Sequence, residues 1–111
     1  MRDRTKEQQG TFPASLENLK DIQAFIKESC QATSLTPKQA KEVLLSAEEV
    51  CTNIIRHSYL YSSGNIEISV RSEREVFSMV ISDRGRQNDA ATACAFIDVS
   101  FHAVHATGRM C

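Results

Sequence analysis

The stretch "TPKQAKEVLLSAEEVCTNIIRHSY", residues 36–59, decides how the rest of the chain is read. Its opening is a helix start. Thr36 offers an N-cap hydroxyl, Pro37 fills the first helical position where a missing N–H costs nothing, and Gln39 stands where a capping box closes. From there Ala40, Val43, Leu44, Ala47, Val50, Cys51, Ile54 and Ser58 fall along one stripe, the face expected to pack on a sheet. A helix running to about Ser58 has roughly 22 residues and, at about 1.5 Å each, a length of ~33 Å, enough to cross a small domain.

Working outward, the segment before it holds a second amphipathic pattern. Leu16, Leu19, Ile22, Phe25, Ile26 and Cys30 recur at three and four residues, with Ser15 as the expected N-cap. Residues 1–11 are polar and charged and predict a flexible arm, with at most a short strand at "GTFP". After the long helix, "YSSGN" supplies turn residues and the period drops to two. In "NIEISVR" Ile66, Ile68 and Val70 alternate with Glu67, Ser69 and Arg71, the pattern of a strand with one buried face. "VFSMVIS" carries apolar groups on both faces and predicts a more central strand. The alanine-rich run after Arg86 shows no clear strand and is expected to form a weak helix over residues 89–106.

These segments predict an α+β domain, a two-layer sandwich with helices on one face of a mixed, mainly antiparallel sheet. A chain of 111 residues fits one such core and not two. An apolar fraction of 41% and a charged fraction of 24% are those of an ordinary globular protein. A formal net charge of -1 gives no reason to expect nucleic acid or a membrane surface as partner. No run approaches the roughly 20 apolar residues of a membrane span, and the first residues carry no secretion signal, so the cytoplasm is the expected location. Cys30, Cys51, Cys94 and Cys111 form no CxxC pair and predict reduced, partly buried thiols. His102 and His105, with Cys94 nearby and no carboxylate partner, make a weak metal pattern.

Two polar clusters are candidates for chemistry. Glu49, Asn53 and His57 are four residues apart, so each lies about 40° further round the helix than the last and one turn further along. The line starts almost opposite the core and drifts to its edge, bringing an acid, an amide and an imidazole to a rim. Such residues either keep a solvated face wet or meet a ligand, and periodicity does not choose between these. The second cluster is "SDRGR", where Asp83 ends a strand and Gly85 follows. A carboxylate there can accept from an exocyclic amine, and glycine permits a close backbone approach; an ordinary Asp-x-Gly turn has the same spelling.

In this order, "EEVCTNIIRHSY", a hairpin and then "ISDRG" resemble the histidine-kinase-like ATPase superfamily, also called GHKL or Bergerat, and within it the anti-sigma factor serine/threonine kinases. The family's N-box, E-x-x-x-N-x-x-x-H-x-Y, is matched by Glu49, Asn53, His57 and Tyr59, and "FPASLENLKDIQAFI" is similar to its first helix. The likeness spans residues 12–86, the N-terminal part of such a domain. It implies ATP and Mg²⁺ as cofactors. Asn53 would be the metal ligand, Glu49 the catalytic group that polarises a serine hydroxyl, and Asp83 the acceptor for the adenine amine, with Gly85 letting the base lie close. Arg56 and His57 would meet phosphate or brace the site. The implied partners are an anti-sigma factor antagonist, which receives the phosphate, and a sigma factor.

The rest of the chain departs from the pattern. The family continues into a lid, a glycine-rich G-x-G box and a further strand, whereas Gly108 is the only glycine after Gly85. Residues 87–111 therefore stand as an atypical tail in place of lid and box, in a truncated or frameshifted kinase or in a divergent relative without phosphoryl transfer. Each large side chain left bare by a missing strand forfeits on the order of 1.5 to 3 kcal/mol, which makes self-association as a homodimer an expectation.

Overall fold

The computed structural model describes residues 6–33, 35–58, 64–73, 76–84, 93–100 and 103–109. Strand β1 (Lys6–Pro13) leads through a 3-10 turn at Leu16–Asn18 into helix α1 (Leu19–Gln31) and then helix α2 (Pro37–Ser58). Four strands follow, β2 (Asn65–Glu73), β3 (Val76–Arg84), β4 (Ala93–Ser100) and β5 (Ala103–Arg109). They form a five-stranded sheet in the order β1-β2-β3-β4-β5, and every neighbouring pair is antiparallel. This is the expected two-layer α+β sandwich, with β3 in the centre.

Helix α2 starts as its sequence dictates. The Thr36 backbone N–H donates to Gln39 Oε1 at 3.0 Å and the Gln39 N–H donates to Thr36 Oγ1 at 3.1 Å, a reciprocal capping box that satisfies two otherwise unpaired donors. Helix α1 starts differently from expectation. Ser15 precedes the 3-10 turn and makes no side-chain cap; its hydroxyl accepts from Asn18 Nδ2 at 2.9 Å instead. Leu16, placed on the apolar stripe by its spacing, lies in that turn and is exposed.

One face of the sheet is dry. Ile66, Ile68 and Val70 of β2, Phe77, Met79 and Ile81 of β3, and Ala95, Ile97 and Val99 of β4 alternate into a core closed by Ile22 and Ile26 of α1 and Val43, Ala47, Cys51 and Ile54 of α2. Ile55 joins this core although its spacing lies off the expected stripe. The opposite face carries Glu67, Ser69, Arg71, Ser78, Val80, Phe96 and Asp98, and none of the described helices covers it.

Two segments correct the sequence reading. Residues 6–11, read as part of a loose arm, are strand, with Gln8, Gly10 and Phe12 facing α1. The tail, expected as a helix over 89–106, holds β4 and β5 instead. Alanine favours a helix in isolation, but Ile97 and Val99, facing the core in register with β3, and Val104, opposite Val99, gain more there than a free helix would supply. Among the described residues no helix is long and apolar enough to cross a membrane.

Chain direction fixes which ends meet. Pro13 pairs with Asn65 and the Ala14 N–H donates to Gly64 O at 2.9 Å, so α1 sets out from that end of the sheet. It finishes at the other end, where Lys6 Nζ donates to Ala32 O at 3.1 Å. Helix α2 then returns, which brings its C-terminal turns back to the end where Asn65 pairs with Arg84.

Candidate functional site

The two consecutive glutamates of α2 have separate environments. Glu48 is half-buried and accepts from Gln23 Nε2 of α1 at 2.5 Å, so this side of α2 faces α1. Each residue turns the helix by about 100°, which puts Asn53, five residues on, about 140° away from Glu48. Glu49, Asn53 and Arg56 are all exposed. Glu49 and Asn53 thus share the flank turned away from α1, one turn apart, with a carboxylate and a carboxamide open to solvent.

Asp83 lies on a different element at the same end of the domain. It pairs with Ile66 on β2 and Ala93 on β4, and it follows Phe77, Met79 and Ile81 on the helix-covered face. It is 1% exposed. A carboxylate that deep is tolerated only with partners, and among the described residues no buried side-chain oxygen or nitrogen lacks a hydrogen bond. The structure therefore brings the C-terminal half of α2 and the end of β3 to one end of the sandwich. Glu49 and Asn53 are exposed on α2, whereas Asp83 is buried on the helix-covered face of the sheet. The imidazole of His57 and residues Tyr59 and Gly85 lie outside what is described.

The donor set fits a hard cation. Among the described residues no cluster of three or more His, Cys, Asp or Glu side chains is positioned to hold a metal. An exposed amide oxygen with a carboxylate one turn away suits Mg²⁺, which keeps several waters and takes few protein ligands. Of the tail's proposed metal group, His105 is exposed and the side chains of His102 and Cys94 are not among those described.

Sequence reasoning missed the contacts that hold this frame. Ser29 of α1 donates to Gln8 Oε1 of β1 at 2.6 Å, or to Phe25 O at 2.8 Å, and is itself buried. A serine in a helix and a glutamine in an edge strand give no periodic mark, so only the register of β1 reveals the pairing. The thiols of Cys30 and Cys51 are free and buried. Burial pushes Cys30 up to about 11, and burial together with the nearby Glu48 charge pushes Cys51 up to about 12, so both are inert near neutral pH.

Two grooves lie away from these residues. One of about 500 Å³ lies on the uncovered face of β1–β3 and is bordered by Gln9, Arg71 and Val80, and another of about 410 Å³ separates the far ends of the helices. Among protein families, the model of the histidine kinase-like ATPase domain matches residues 12–98, and so runs past Arg86 into β4. A search of the curated proteins finds no match.

Proposed function

Because the chain belongs to the histidine kinase-like ATPase domain family, we propose that it binds ATP with Mg²⁺ and acts as a serine/threonine kinase of the anti-sigma type. The observation that carries this reading is the pair Glu49 and Asn53, one turn apart and exposed on one flank of an unbroken α2, while Glu48 is tied to α1. In this reading Asn53 gives its amide oxygen to the metal, and Asp83 accepts from the exocyclic amine of the base, with Gly85 leaving room for it. Arg56 and His57 meet phosphate oxygens.

ATP supplies the phosphoryl group. Glu49 accepts the proton of a serine hydroxyl on the partner as the oxygen forms its bond to phosphorus and ADP departs, a reaction in which alignment and charge neutralisation matter most. The partner is an anti-sigma factor antagonist bearing that serine, with a sigma factor as its competitor, and the setting is the cytoplasm.

Titration calorimetry of the full chain with ATP, with and without Mg²⁺, tests the reading. Tighter binding with Mg²⁺ is expected, and no heat of binding in either condition refutes it. A second reading is favoured by the tail: residues 93–100 and 103–109 form the β4–β5 strand pair and hold Gly108 as their sole glycine, which leaves no G-x-G nest there for phosphates. In that reading the chain is a protein-binding relative without phosphoryl transfer. Mg-ATP binding with no transfer of labelled phosphate to the antagonist selects it.

A further inference from the structure

At the end of the sandwich opposite Asp83, the last turns of α1 and the first turns of α2 diverge around a trough of about 410 Å³. Leu35, Pro37, Ala40 and Leu44 make its surface mainly apolar, and the thiol of Cys30, protonated at neutral pH, adds to the floor. The turn that closes one end is pinned. Thr33 donates its hydroxyl to Cys30 O at 2.7 Å and accepts from the Leu35 N–H at 3.3 Å. The trough is thus formed before anything binds, which reduces the ordering cost of association.

Its charge is one-sided. Among the described residues the only ionised side chains lining it are Lys27, on the α1 wall, and Lys41, on the α2 wall, both exposed. Their sequence neighbours Glu28 and Glu42 do not line it. Small ligands bury most of their surface in an enclosing pocket, and a trough open along its top does not provide that. An apolar channel with one cation on each bank instead complements a helix whose apolar stripe has carboxylates on both sides.

We infer that this trough is a docking site for an acidic amphipathic helix of a partner protein, on the N-terminal turns of α2 rather than at Glu49 and Asn53, and independent of any nucleotide chemistry there. The probe is a fluorescein-labelled peptide with leucines at i, i+3, i+4 and i+7 bordered by glutamates, titrated with the full chain and read by fluorescence anisotropy. Saturable binding that weakens as salt rises is expected. The double substitution Lys27→Glu and Lys41→Glu is expected to weaken it by about tenfold or more. A sister peptide with lysines in place of the glutamates should then bind the doubly substituted chain and not the original. Both lysines are exposed, so circular dichroism should report an unchanged fold. No saturable binding, or equal affinity of both peptides for both chains, overturns the proposal. So does a homodimer in sedimentation that the double substitution dissociates, or capture by phosphatidylserine vesicles without peptide binding.

Discussion

Gln23 of α1 holds the carboxylate of Glu48 on α2, Nε2 to Oε2 at 2.5 Å, and leaves its neighbour Glu49 facing solvent. One glutamate braces the helix pair and the other is free for chemistry. Glu48→Ala should therefore destabilise the fold by about 1–2 kcal/mol, the cost of a half-buried hydrogen bond to a charged group. Glu49→Ala should change stability by less than about 0.5 kcal/mol. Urea unfolding of both variants checks this, and phosphate transfer to an antagonist should vanish in Glu49→Ala while ATP binding persists. Unchanged transfer rules out the role given to Glu49.

Asn53 is exposed, so its truncation leaves the core untouched. Asn53→Ala should abolish the difference between ATP binding with and without Mg²⁺ while unfolding at the same urea concentration. Calorimetry that still finds the difference would assign the metal to another ligand.

The buried thiols make stability depend on alkaline pH. Both folded values, about 11 for Cys30 and about 12 for Cys51, lie above the ordinary 9.0, so the unfolded chain loses these protons first. Their contribution is fully present below about pH 9 and is lost as pH rises from there through the folded values. Each thiol steepens the fall by about 1.4 kcal/mol per pH unit in that window. The check is the difference in slope between the original chain and Cys51→Ala, measured by urea unfolding from about pH 8 to about pH 10.5. Equal slopes would mean that Cys51 ionises in the folded state.

Gly10 sits under an aromatic pair. The rings of Phe12 and Phe25 meet edge to face with centroids 5.5 Å apart, and a Cβ at Gly10 would fall 2.8 Å from Phe12 Cε2 and 3.1 Å from Phe25 Cε1. Gly10→Ala must push both rings, and should cost about 1–2 kcal/mol in thermal or urea unfolding. No loss of stability would show that the rings move aside freely.

The long helix was legible because its cap and its stripe agree, and β2 because Ile66, Ile68 and Val70 alternate cleanly with polar residues. Strand β1 was legible only at its end, "GTFP", since its core-facing positions are Gln8, Gly10 and Phe12, and only the last is apolar. Strand β4 hid for another reason. Its inward residues Ala95, Ile97 and Val99 do alternate, but Ala93, Cys94 and Phe96 between and before them blur the period, and alanine fits a helix as well as a strand. Within the candidate site the spacing of Glu49 and Asn53 gave their shared flank. The depth of Asp83 did not follow from sequence, because it depends on which face of β3 the helices cover.

Strand β1 also sets an order of assembly. Strands β2, β3 and β4 each pair with the next strand without an intervening helix, whereas β1 joins β2 across the whole helical segment, Pro13 opposite Asn65 and Lys6 opposite Ser72. Closing so long a loop is slow, so this strand should add after the meander and its helices have condensed. Phe12→Leu should then speed unfolding and leave the folding rate unchanged in stopped-flow measurements, and a proportionate slowing of folding would place β1 in the nucleus instead.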